Sequence, residues 1–134
     1  KALAQGLGAK VRHSLETTLR LAPDRPDAHV ALGVYHTEIV DKAGAMIGGL
    51  TYGAKKEEGY RHFETALRLN PESAIARVEY ARALRLLDGK RKLAQARTML
   101  EQAAAVHAHD AVERLDIEAA RTELNTKLNE EKQQ

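Results

Sequence analysis

Two segments of the chain, residues 14–23 and 62–71, agree at six of ten positions and lie 48 residues apart. The first reads SLETTLRLAP and the second HFETALRLNP. A self-match of this kind is the mark of a repeat architecture. One supersecondary unit recurs, and each copy hides its apolar face against a neighbour. Both copies place Leu, Thr or Phe at helical spacing and close on a Pro, so the repeated unit is a helix with a sharp stop.

Helix is also what composition favours. Of 134 residues, 43% are hydrophobic and 30% charged, the balance of an ordinary folded domain. Aromatics are 4%, with no Trp and one Phe, so a core must be built from Ala and Leu. No stretch alternates at period two as a half-buried strand does. Cys is absent, which excludes disulfides, thiol catalysis and Cys-ligated zinc. It leaves the compartment open, with a cytoplasmic setting favoured. The longest apolar stretch, residues 43–50, falls far short of the roughly 18 residues a membrane span needs. Lys1 is not an initiator Met, and residues 1–10 read as the end of a helix broken by Gly6 and Gly8. The expectation is the C-terminal part of a longer protein.

Periodicity and punctuation predict about six helices. The first covers residues 10–21 and ends at Pro23. The second starts with Asp24 as cap and Pro26 in its first turn, and runs to about residue 41. Residues 43–53 hold four glycines and read as a helix end and a compact loop. Helix resumes over residues 54–69. Asn70 is a candidate cap and Pro71 a first-turn residue for the next helix, which stops at Gly89. A fifth spans residues 91–107. The last begins at Asp110, with Glu113 completing an acidic capping box, and carries Ile117, Ala120, Leu124 and Leu128 as its apolar stripe.

Helix pairs joined by Pro turns resemble the tetratricopeptide repeat, a 34-residue helix–turn–helix unit. Leu32-Gly33 looks like the family's Leu-Gly pair. Phe63, Ala66 and Pro71 sit at the spacing of its second-helix aromatic, small residue and closing Pro. Leu15, Thr18 and Pro23 repeat that spacing, as do Ala96, Leu100 and Ala103. His29 fills the family's Trp position and His36 a later aromatic one. The surplus over 34 residues falls in residues 42–55, a Gly-rich insertion. The resemblance implies a single all-α domain over residues 1–134. It would be a tetratricopeptide-like right-handed α-solenoid of antiparallel helix pairs, with a C-terminal capping helix.

Three routes to chemistry are weak. Residues 48–55 brush against the phosphate-binding G-x-x-x-x-G-K-[ST], but Ala54 stands where Lys belongs and no strand precedes. His29 and His36, or His107 and His109 with Asp110, are too few for a metal set at matched geometry, and H-E-x-x-H is absent. Glu57 and Glu58 read as a solvated face rather than an acid–base pair. Neither enzyme, metal nor cofactor is expected.

Charge is the better clue. Net charge is only +2, yet residues 74–97 carry seven basic against two acidic side chains, and residues 101–134 carry eight acidic against four basic. By the resemblance, the first helix of each unit lines a concave groove. Val30, Val34 and Thr37 would contribute from one unit, Val78, Arg82 and Arg85 from the next, and Leu115 and Ala119 from the cap. Arg82 and Arg85 share a helix face and suit an acidic side chain. The Lys and Asn clamp of chaperone-binding members is not matched by these residues. The expectation is a non-enzymatic scaffold that binds a peptide or helix of a partner protein, possible acidity of that partner included. Self-association into a homo-oligomer is the alternative. Nucleic-acid binding through residues 77–97 is weaker still, for want of stacking aromatics and an RNA-module motif.

Overall fold

The computed structural model describes residues 2–106 and 111–133. Among them every element is helical and there is no strand. The chain divides into two compact units, Lys1–Pro71 and Glu72–Gln134. Unit 1 holds α1 (Ala2–Leu21), α2 (Pro26–Ala43), α3 (Ala45–Tyr52) and α4 (Lys56–Leu69). Unit 2 holds α5 (Ala74–Asp88), a 3-10 turn (Gly89–Lys92), α6 (Leu93–Ala105) and α7 (Ala111–Lys132). The six helices read from periodicity are all present, and α3 is a seventh. No helix of the described residues is long and apolar enough to cross a membrane.

The twin segments have the same local structure. Each ends a helix, at Leu21 and at Leu69, and a four-residue link leads to the next helix. The helix ends even share a hydrogen bond: Ala22 N–H donates to the Thr18 carbonyl and Asn70 N–H to the Ala66 carbonyl, both at 2.8 Å. Their burial differs. Phe63 and Ala66 are buried, whereas Leu15 and Thr18 of α1 are only half covered.

Four boundaries move. Helix α1 continues through Gly6 and Gly8 instead of breaking there. Arg25, not Asp24, stands at the N-cap of α2, with Pro26 in the first turn as expected. Pro71 lies in the link, and Ser73 caps α5: its Oγ accepts from Ala76 N–H at 3.2 Å. The fourth is the Gly-rich segment, a helix rather than a loop. Gly44, at φ 85°, breaks the chain between α2 and α3. Gly53, at φ 63°, ends α3 in the left-handed conformation. There Gly53 N–H donates to the Gly49 carbonyl and Ala54 N–H to the Gly48 carbonyl, closing the last turn of the helix. The cap proposed at Asp110 and the cluster of His107 and His109 lie outside the described residues, as do the side chains of Glu113 and Ile117.

Unit 1 is organised around α2 packed on α4, with α1 and α3 each against α2. Two glycines set that contact. A Cβ on Gly33 would stand 2.7 Å from the Phe63 ring, so the ring lies flat over the α2 backbone. A Cβ on Gly59 would stand 2.6 Å from Thr37 Cγ2 and 3.1 Å from the Gly33 carbonyl. In unit 2, α6 packs on both α5 and α7, and α5 also meets α7. Its core is Ala-rich, with Leu84 and Leu100 as the largest fully buried side chains.

Candidate functional site

Of the residues expected to meet a partner in unit 1, Val30 and Val34 are half-buried on α2. Thr37 is buried, and its hydroxyl donates to the Gly33 carbonyl at 2.8 Å. It braces α2 at the point where Gly59 of α4 comes closest.

Beside that contact lies a histidine network. His29 Nε2 is 3.0 Å from the Pro23 carbonyl, which can only accept, so Nε2 carries the proton. His29 Nδ1 therefore accepts from His62 Nδ1–H at 3.0 Å. His36 Nδ1 accepts from Lys55 N–H at 3.1 Å, and its ring stacks on His62 with centroids 5.9 Å apart. Burial, then the neighbouring His29 and His36, push His62 down to about 4. Burial likewise lowers His36. These hydrogen bonds tie α2 to α4, to the Pro23 link and to the Lys55 backbone, and no group of three His, Cys, Asp or Glu among the described residues is arranged to hold a metal. The sequence marked His29 and His36 but not His62, because the twin segment has Ser14 at the matching position.

Helix α3 presents what sequence periodicity missed. Met46, Ile47 and Leu50 are 76%, 54% and 84% exposed. Spaced i, i+1 and i+4, they form one stripe. The opposite side of α3 is held firmly. Gly48 is buried against Ile39 and Val40 of α2. The Tyr52 carbonyl accepts from Arg12 Nη1 and from Tyr35 Oη, both at 2.9 Å. The stripe is thus the outer face of a fixed helix. The same geometry disposes of the phosphate-loop likeness, since the backbone N–H groups of Gly48 and Gly53 are spent on helical carbonyls.

In unit 2, Val78 is buried on α5, while Arg82 on the same helix is exposed and 4.0 Å from Glu79. Arg85 reaches across to α7 and faces Glu123 at 3.3 Å. Leu115 and Ala119, one turn apart on α7, are exposed. The basic run is largely neutralised in place. Arg91 pairs with Asp88 at 2.9 Å, and Arg97 with Glu101 at 3.2 Å and Glu131 at 3.1 Å. The acidic C-terminal helix thus answers part of the basic stretch that precedes it.

Comparison with protein-family models, with curated proteins and with solved structures returned no match to this chain.

Proposed function

We propose that the chain is a non-enzymatic protein-interaction scaffold, and that its units are tetratricopeptide-like repeats of an α-solenoid capped by α7. The observation that carries the binding role is the outward stripe of Met46, Ile47 and Leu50 on a helix whose other face is pinned. Soluble surfaces rarely hold three large apolar side chains side by side without a use. A fixed helix costs little to order on binding, so modest contacts suffice for micromolar affinity. The repeat reading draws support from the twin links after α1 and α4 and from the Phe63 ring lying over Gly33.

The partner is a peptide or helix with apolar side chains for the α3 stripe. On unit 1 it also meets Val30 and Val34. Unit 2, taken by itself, offers Arg82, Leu115 and Ala119, where an acidic residue suits the Arg82 guanidinium. With most arginines of the basic run already paired to carboxylates, nucleic acid is the poorer fit.

The test is affinity capture with the full chain, comparing wild type with the double variant Met46→Asp, Leu50→Asp and with Arg82→Glu. Both variants change exposed side chains and keep the fold, as circular dichroism will verify. A protein retained by wild type and lost by the double variant supports the proposal. Equal retention by all three chains contradicts it.

A further inference from the structure

The link between α3 and α4 is held at two places. The Tyr52 carbonyl accepts from Arg12 Nη1 and Tyr35 Oη, both at 2.9 Å. Further along, Lys55 N–H donates to His36 Nδ1 at 3.1 Å. Between the two, Ala54 is buried. Arginine and tyrosine keep their protons throughout the acid range, so mild acid leaves the first hold alone. The second responds to it.

An imidazole that accepts at Nδ1 carries its proton on Nε2, and a second proton goes to Nδ1. In His36 that proton meets the Lys55 N–H head on. Two donors cannot share a hydrogen bond, so a charged His36 and a bound Lys55 amide exclude each other. His36 is buried, so its cation also lacks the water that an exposed imidazolium keeps.

Titratable and charged groups face this ring from the elements packed on it. From α4, His62 stacks on it with centroids 5.9 Å apart, and Glu58 favours its charged form. From α1, Arg12 disfavours that form and Glu16 favours it. On α2 itself, Tyr35 meets the ring edge-on at 5.5 Å. Helix α3 holds no Asp, Glu, Lys, Arg or His. Burial has the largest influence and lowers His36 from 6.5; Glu58 opposes, Arg12 adds to the lowering, and Glu16 opposes. The ring therefore remains an acceptor at neutral pH and loses that role on the acid side of 6.5.

We propose that the His36–Lys55 hydrogen bond is an acid-sensitive latch: protonation of His36 frees the Lys55 amide and loosens α3 and its link to α4, while α2 and α4 stay packed through Gly33 and Phe63. This is a local opening, distinct from the unfolding of unit 1. The α3 stripe loses its fixed backing with it, so a partner held by that stripe is released in acid. The latch itself is read without a partner, and either proposal can fail alone.

The experiment is an NMR titration of the full chain through the acid range, following the backbone amides and the His36 imidazole together. Amide exchange is measured on either side of the His36 midpoint and corrected for the intrinsic rate. The Lys55 amide is expected to titrate with the midpoint of the His36 ring. Protection over residues 45–55 falls about tenfold or more on the acid side, while that of Phe63 and Ala66 changes far less. His36→Asn offers an acceptor oxygen near Nδ1 that does not titrate, and abolishes the acid step at Lys55. Glu58→Gln, a change at a partly exposed carboxylate, removes a charge that favours the His36 cation and moves the step to lower pH. It stands in if the His36 variant does not fold. The proposal is overturned if the Lys55 amide does not follow His36, or if protection of Phe63 and Ala66 falls in step with that of residues 45–55. It is equally overturned if the acid step persists in folded His36→Asn or keeps its midpoint in Glu58→Gln.

Discussion

Single residues fix how closely the helices of unit 1 approach. Gly59 faces backbone, since a Cβ there meets the Gly33 carbonyl as well as Thr37. Gly59→Ala is expected to destabilise the chain by about 2 kcal/mol, because backbone cannot swing aside as a side chain can. Gly6 has nothing within 4 Å of an added Cβ, so Gly6→Ala gains up to about 1 kcal/mol of helix propensity. Urea unfolding followed by circular dichroism separates the two signs. Gly33 was legible in the sequence through its place beside Leu32. Gly59 was not, because nothing in a lone helical Gly says whether a neighbour presses on it.

The histidines give a pH dependence of definite sign. The pKa of His62 falls from 6.5 in the unfolded chain to about 4 in the folded one. The unfolded state then binds more protons between those values, and stability rises with pH across that window. Full stability is present above 6.5 and is lost as pH falls towards 4. Burial of His36 adds loss of the same sign. Unfolding midpoints at pH 7 and pH 4.5 measure it. His62→Asn retains a donor near Nδ1 but cannot titrate, and should flatten most of the difference.

At the scale of elements, helices α2, α4, α5 and α6 were legible within a few residues, from apolar spacing and from Pro and Gly stops. Helix α3 was not. Four glycines in residues 43–53 read against a helix, and the two inside α3, Gly48 and Gly49, cost roughly 1 kcal/mol each. Tertiary structure outweighs that cost in two ways: Gly48 is buried against α2, and Arg12 and Tyr35 both donate to the Tyr52 carbonyl. The start of α5 was misplaced for a related reason. Asn70-Pro71 carries the signals of a helix start, but the same four-residue link that follows Leu21 also follows Leu69, and Ser73 supplies the cap. The element most exposed to a single change is α3. At Gly53 an added Cβ meets the Arg12 guanidinium, and its φ of 63° disfavours any side chain. Gly53→Ala should cost about 1–2 kcal/mol and loosen α3 first. Faster amide hydrogen exchange over residues 45–52, with α4 unchanged, is the expected signature.

For the whole molecule, the all-helical class was legible, and the twin segments each end a helix and lead into a four-residue link. The binding surface was legible only in part. Sequence pattern pointed to Val30, Val34, Arg82, Leu115 and Ala119, which have exposed area, but also to Thr37 and Val78, which are buried. Periodicity places a residue on a face and does not say how much of that face a neighbour covers. Charge counting had the same limit: the excess of arginines in residues 74–97 is met largely by carboxylates within unit 2. The apolar stripe of α3 stays outward, and the scaffold reading stands on it. The decisive measurement is calorimetric titration of the purified, captured partner into wild type and into the Met46→Asp, Leu50→Asp variant. The account predicts a loss of at least about tenfold in affinity, about 1.4 kcal/mol, with helicity unchanged. An affinity equal to that of wild type would contradict it.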